Sequence, residues 1–296
     1  DAMNKGIAMA SGELIGILNS DDLYTNTTIS RVVAYYEATE AEVIYGKALW
    51  FDDLGKTSLY VSSNPEELWC RMAIPHPTVF VKKEIYKKYG VFNTKYLIAA
   101  DYELMLRLYS QGVRFGCVDE ILAYFRRGGL SAQRQENVIQ ESMEISLSYL
   151  QKCREKEKWE PKIQEVYIRR RFSQLLESER ALVLNCSRQL FGDQAGSNHL
   201  VIFGTGSWGK RCIQFLEEAG LRVDFWVDNH SLTWGENLYG RQIKAPEELY
   251  GYKNCILIAT FQFAEEIKRQ IETIDSRLVC LCLLDLAKVS VEICEK

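Results

Sequence analysis

Four polar residues in a row, Asn19, Ser20, Asp21 and Asp22, close the nearly all-apolar run Glu13-Leu14-Ile15-Gly16-Ile17-Leu18. Ligands of open α/β sheets bind at the carboxyl ends of strands, and adjacent carboxylates there suit a hard divalent cation. Mg2+ or Mn2+ is the expected ion, since it keeps water and phosphate oxygens as its other ligands. Asp and Asn also build turns and cap helices, so the acidic turn alone leaves a purely structural role open. A second set is the complete G-x-G-x-x-G of Gly204-Thr205-Gly206-Ser207-Trp208-Gly209, with Asp228 downstream. After a strand and before a helix, such glycines allow a tight turn and close approach of a pyrophosphate, and the acid can take ribose hydroxyls. Gly204, Gly206, Gly209 and Asp228 are therefore candidate dinucleotide ligands, with a structural or interaction module as the alternative. No Tyr-x-x-x-Lys or Cys/His arrangement accompanies them, so binding is expected there before redox chemistry.

These residues need elements to hold them. The pattern predicts a helix over 2–10 closed by Gly12, then a buried, parallel strand over 13–18 that carries the acids at its end. An amphipathic helix is expected over 27–39, strands over 42–50 and 58–61 around a turn at 52–55, and a strand over 78–81. Helices over 83–89 and 101–110 stop at Gly90 and Gly112, and 113–122 reads as an extended pair. Residues 135–185 change texture, with many Glu, Lys and Arg, apolar residues at helical spacing and one proline. This is a helical connector, interrupted near Pro161. From 200 onward strands and helices alternate, which predicts a parallel three-layer domain with strands over 200–203, 222–227, 255–259 and 278–284.

The chain has 296 residues, 36 Lys and Arg against 40 Asp and Glu, and 47% apolar residues. About two domains with real cores fit that length. A net charge of −4 makes nucleic acid a poor expected partner. No apolar run approaches the roughly 18 residues of a membrane span, and the first residues lack a signal peptide's plan, so a cytoplasmic protein is expected. Nine scattered cysteines without a C-x-x-C read as free thiols and leave no Cys/His zinc site.

The stretch from Asp1 to Asp22, with Asn4-Lys5-Gly6, the Gly12 turn and the apolar strand into the acids, resembles the middle of family 2 glycosyltransferases of the GT-A fold. The resemblance continues at His76-Pro77-Thr78-Val79-Phe80-Val81, at Tyr89-Gly90-Val91-Phe92-Asn93, and at Ala99-Ala100-Asp101-Tyr102-Glu103-Leu104 to Arg107. It implies that Asp21, with Asp22, holds a metal on the donor diphosphate, and that Asp101 is the general base on the acceptor hydroxyl, with inversion at the anomeric carbon. Asn19 stands where many members have the first aspartate of the DxD-type motif, which shifts metal binding toward Asp21 or gives Asn19 to the donor ribose. His76, between two prolines, resembles a histidine of related transferases that faces the diphosphate or the acceptor. Arg126 and Arg127, beside Gly128-Gly129, suit a clamp on the donor phosphates, with a solvated basic loop as the alternative. Asn4 and Lys5 either help hold the donor or serve the start of their helix.

The expected class is thus α/β, in three parts. Residues 1–134 form a partial GT-A domain, in which the β-α-β segment that holds the donor nucleoside in such enzymes is expected to be lacking. Residues 135–196 form the helical connector, and 197–296 a Rossmann-like parallel-sheet domain resembling modules appended to sugar-modifying enzymes and methyltransferases. The expected function is metal-dependent, inverting transfer of a sugar from a nucleotide-sugar donor to a saccharide or lipid-linked acceptor in bacterial surface-polysaccharide biosynthesis. Peripheral contact with the inner face of the membrane is possible through apolar and basic side chains of 135–185, although helix packing explains them as well. The rivals are an NAD-dependent nucleotide-sugar oxidoreductase or epimerase working through the carboxy-terminal glycines, and a truncated, non-catalytic binding module.

Overall fold

The computed structural model describes all residues except 53, 54, 63, 127, 129–133, 194–197 and 296. The run Val-Ile-Tyr-Gly-Lys-Ala-Leu-Trp-Phe forms strand β3 (Val43–Phe51), the axis of the first unit. Along one edge it pairs in parallel with the twelve-residue β6 (Phe115–Arg126). Along the other it pairs antiparallel with β5 (Phe80–Lys82) and then β4 (Thr57–Tyr60). With β1 (Leu14–Gly16) and β2 (Leu23–Tyr24) the order is β1-β5-β3-β6-β2, β4 lying beside β3. The expected parallel, fully buried strand at 13–18 is instead three residues antiparallel to β5, and only Ile15 of them is buried. The expected pair at 113–122 is one long strand, because β6 follows β3 through a register shift near Gly46 instead of turning back.

Helices cover the sheet: α1 (Ala2–Met9), α2 (Thr28–Ala38), α3 (Lys83–Tyr89) and α4 (Ala100–Ser110). In α4, Leu104, Met105 and Leu106 are each 0% exposed, and burial of such a side chain stabilises by roughly 1.5–3 kcal/mol. Glu103, also buried, pairs with Arg107 at 3.1 Å and accepts the Tyr149 hydroxyl at 2.6 Å.

Tyr149 belongs to α5 (Gln135–Leu150), the first helix of the expected connector. The structure divides the chain into two units, Asp1–Tyr167 and Ile168–Lys296, so the segment 135–196 is shared between them. Ile145 and Leu150 of α5, with Trp159 and Ile163 of α6 (Lys156–Ser178), join the first unit's core. Pro161 lies inside α6 and does not interrupt it. It sits in the second turn, where only one intrahelical bond is lost, and the break falls before it, at 151–155. Helix α7 (Arg180–Ser187) follows.

In the second unit β7 (His199–Phe203), β8 (Arg222–Val227), β10 (Arg241–Lys244), β11 (Cys255–Ile258) and β12 (Cys280–Cys282) are parallel, and β9 (Asn237–Leu238) is antiparallel to β10. The order β12-β11-β7-β8-β10-β9 reverses direction at β7, with β8 on one side and β11 on the other. Helices α8 (Ser207–Glu218), α9 (Ala264–Ile274) and α10 (Leu283–Cys294) alternate with the strands. The expected strand at 278–284 is shorter, because Leu283 already begins α10. All nine cysteines are free. No described helix is long and apolar enough to cross a membrane.

The Glu103 pair makes a stability prediction. Tyr149→Phe removes a donor from a buried carboxylate and should lower the unfolding free energy by about 1–3 kcal/mol. Urea denaturation checks it, and an unchanged midpoint would remove Tyr149 from the account of what fastens α4.

Candidate functional site

The acidic turn connects β1 to β2. Its closure is local: the Asp22 N–H donates to the Asn19 carbonyl at 3.2 Å, and Asn19 Nδ2 donates to Asp22 Oδ2 at 3.0 Å. Its attachment is distant. Antiparallel pairing of β2 with β6 sets Leu23 opposite Tyr124, which brings the Arg126 N–H to Asp22 Oδ1 at 3.1 Å. Asp22 is 3% exposed. Asp21 is exposed and makes no hydrogen bond or ion pair with a described residue. Burial pushes the Asp22 carboxyl above the usual range, and the charge of Asp21 adds to this; the Arg126 N–H, the Asn19 amide and His76 oppose it without cancelling it.

His76, on a short 3-10 turn at His76–Thr78, lies near enough to influence the same carboxylate electrostatically. Thr78 Oγ1 seats that turn on β3, donating to the Gly46 carbonyl at 3.0 Å while the Gly46 N–H donates to it at 3.2 Å. The His76 ring meets Phe92 edge-on, centroids 5.8 Å apart. Asn4 holds Phe92 from α1, donating to its carbonyl at 2.9 Å and accepting its N–H at 3.0 Å. Arg107 of α4 donates to the carbonyls of Tyr89 and Val91, both at 2.6 Å. Segment 89–92 is thus the tie between α1, α4 and the turn of His76.

The structure therefore brings Asn19, Asp21, Asp22, His76 and the Arg126 backbone together. Asn4 is spent on Phe92 and supports the site through it, because a side-chain amide can satisfy one peptide's N–H and C=O at once. Lys5 pairs with Asp1 at 2.9 Å on an exposed helix face. Arg127 lies outside the described residues. Asp101 sits half-buried in the first turn of α4, where its Oδ1 accepts the Tyr102 N–H at 2.8 Å. Among the described residues no three His, Cys, Asp or Glu side chains are grouped so as to hold a metal by themselves.

In the second unit a cleft of about 560 Å³ opens at the carboxyl ends of β7, β8 and β11, lined by Gly204, Gly206, Trp208, Asp228 and Phe261 among others. Gly204 needs its glycine, with φ +110°, and a Cβ on Gly209 would lie 2.0 Å from the Gly204 carbonyl. Asp228 differs from expectation. Its Oδ2 accepts the Thr205 N–H at 2.8 Å and the Thr205 hydroxyl at 2.7 Å, and its Oδ1 accepts the His230 N–H at 2.9 Å. Burial alone would raise its pKa, but these three donors and His230 outweigh it and hold the carboxyl below the usual range. The acid read as a ribose ligand thus fastens the glycine loop as well as lining the cleft. Thr205, which sequence reading passed over as a variable position of the fingerprint, is its partner.

Comparison with known proteins follows this geometry. Residues 1–96 match Glycosyl transferase family 2. Residues 196–277 match the family described as C2185-like, N-terminal. The chain is 27% identical over 114 residues to a PGL/p-HBAD biosynthesis glycosyltransferase of Mycobacterium bovis, covering 37% of this chain and 43% of that one. It is 26% identical over 145 residues to the Escherichia coli UDP-Glc:alpha-D-GlcNAc-diphosphoundecaprenol beta-1,3-glucosyltransferase WfaP, covering 48% and 57%. The chain thus spans about half the length of these curated relatives. Among solved structures it is similar to S. aureus TarS 1–349 in complex with UDP-GlcNAc, at 17% identity and TM-score 0.43, over 57% of this chain and 52% of that one. The family match and the relatives' names support a glycosyltransferase, and the acidic turn and His76 fall within the matched segment.

Buried Asp22 and half-buried Asp228 predict opposite pH behaviour. A carboxyl raised in the fold makes ionisation unfavourable to folding, so Asp22→Asn should gain on the wild type as pH rises through the carboxylate range. A lowered carboxyl contributes stability above its unfolded value near 4 that is lost as pH falls, so Asp228→Asn should lose ground as pH rises from about 3 to 6. Urea unfolding of both variants at several pH values reads the slopes, and parallel slopes would contradict the assignments.

Proposed function

We propose that the first unit belongs to an enzyme that transfers a sugar, with inversion and metal dependence, from a nucleotide-sugar donor to a saccharide or lipid-linked acceptor in surface-polysaccharide biosynthesis. The observation that carries the reading is the pair Asp21 and Asp22, one exposed and without a partner among the described residues, the other buried and raised in pKa, inside the segment matched to family 2. The name of the E. coli relative, with its UDP-linked donor and diphosphoundecaprenol acceptor, supports both substrate classes. A lipid-linked acceptor would place the protein in the cytoplasm at the inner face of the membrane.

A divalent cation fits these residues, because two adjacent carboxylates carry charge that, among the described residues, two hydrogen-bond donors at Asp22 and the nearby His76 offset in part. Asp21 and Asp22 would hold Mg2+ or Mn2+, which supplies charge neutralisation to the departing diphosphate. The protein's own part is positioning and proton transfer. Asp101 accepts the proton of the acceptor hydroxyl as that oxygen forms its bond to the anomeric carbon, and the bond to the diphosphate oxygen breaks on the opposite face. His76, held by Thr78 and Phe92, would meet diphosphate oxygens, with Arg126 a further candidate for that contact.

In the second unit the cleft at the glycine loop supports a nucleotide ligand, a dinucleotide being one candidate. Asp228, which also holds Thr205, lines this cleft with the glycine loop and an aromatic wall, and the sequence has no Tyr-x-x-x-Lys to support an oxidoreductase or epimerase reading.

Calorimetric titration with UDP, with and without Mn2+, tests the first site. Binding should need the metal and weaken at least tenfold in Asp21→Ala, and metal-independent binding unchanged in that variant would sink the assignment. Asp101→Asn should lower turnover by about 10²- to 10⁴-fold with donor affinity retained. Titration with NAD tests the second cleft, where Gly209→Ala should abolish any binding by displacing the loop.

A further inference from the structure

Helix α5 lies along the loop that leads into α4, and one of its side chains is used in full. Glu141 Oε1 accepts the N–H of Leu97 at 3.0 Å, and its Oε2 accepts those of Ile98 at 3.0 Å and Ala99 at 2.8 Å. One turn further, Glu144 pairs with Lys95 and meets the Tyr96 hydroxyl at 3.5 Å. Ala99 caps α4, and Asp101 is in that helix's first turn. The backbone from 97 to 99 therefore has no freedom to shift or rotate without breaking charge-assisted hydrogen bonds.

We infer that Glu141 is a positioning residue: it fixes the 97–99 backbone and thereby sets where the Asp101 carboxylate stands toward the acceptor hydroxyl. The inference rests on the reading of Asp101 as the base. Proton transfer requires hydrogen-bond reach, and displacement of a catalytic group by about 1 Å can cost on the order of 100-fold in rate. Three backbone donors converge on one carboxylate from a helix more than 40 residues away in sequence, which ties the loop before α4 to that helix.

The test compares Glu141→Ala, Glu141→Gln and Asp101→Asn by release of UDP from UDP-glucose with Mn2+, by amide hydrogen exchange at 97–99, and by 13C titration of the Asp101 carboxyl. Glu141→Ala should lose amide protection at 97–99 and lower kcat about 10- to 100-fold with the donor KM within about twofold. Glu141→Gln keeps an acceptor for Ile98 and Ala99 but sets an NH2 against Leu97, so it should recover much of both. The Asp101 titration, which needs no turnover, should shift in Glu141→Ala and return toward wild type in Glu141→Gln. An unshifted titration in Glu141→Ala overturns the proposal, as does wild-type kcat with the amides unprotected. Full turnover in Asp101→Asn removes the base assignment itself; lost turnover there with full turnover in Glu141→Ala removes only the role of Glu141.

Discussion

Burying a carboxylate is costly unless other donors replace the water it gives up, and Asp22 is buried with two, the Asn19 amide and the Arg126 N–H. Only the second reaches across the fold, and it exists because β2 pairs with β6 in one register. A slip by one residue would turn Leu23 and Tyr24 to opposite faces and carry Asp22 away from Arg126. The two-residue strand β2 thus does more for the site than its length suggests. The long β6 is rigid enough to receive it because β3 supports it along nearly its whole length.

The other candidate catalytic group, Asp101, is held by a different device. Helix α5 carries a row of polar side chains toward α4 and the loop before it. Glu141 takes three backbone N–H groups, Ser146 bonds the Tyr102 hydroxyl at 2.7 Å, and Tyr149 bonds Glu103. Tyr102 also donates to the Leu68 carbonyl at 2.8 Å. The segment 135–196, which composition marks as a connector, is in its first sixteen residues part of the scaffold. Arg107 and Asn4 then join α4 to segment 89–92, against which His76 packs, so disturbance of α4 would reach both candidate groups.

What could be read beforehand divides along physical lines. Elements with a helical hydrophobic period or a continuous apolar run, such as α2, β3, β8 and β11, lie within a residue or two of the pattern, because burial decides them. β1 misled because an apolar run states that a segment is buried, not which strand it pairs with or in which direction. Two-residue strands such as β2 and β9 carry no period at all. Pro161 reads as a break only if its distance from the helix start is unknown. At the site, clustered types such as Asn19 to Asp22 are conspicuous, whereas Glu141 is one glutamate among many, and its partners are peptide groups that leave no mark in composition. The glycine fingerprint located its loop and cleft, but whether Asp228 faces a ligand or Thr205 depends on a hydroxyl whose direction only the folded backbone sets.

Asp22 and Asp228 bear comparison, since both are acids at the end of a short apolar strand or its following turn, and both are partly shielded from water. Their carboxyls nevertheless move in opposite directions. Asp228 has three donors and His230 beside it; Asp22 has two donors, His76, and the negative charge of Asp21 as a neighbour. The first acid is held in its charged form by donors of its own unit. The second is buried with the negative charge of Asp21 beside it, at a position tied to the sheet, and under the proposed function a divalent cation with its bound diphosphate would favour its charged form.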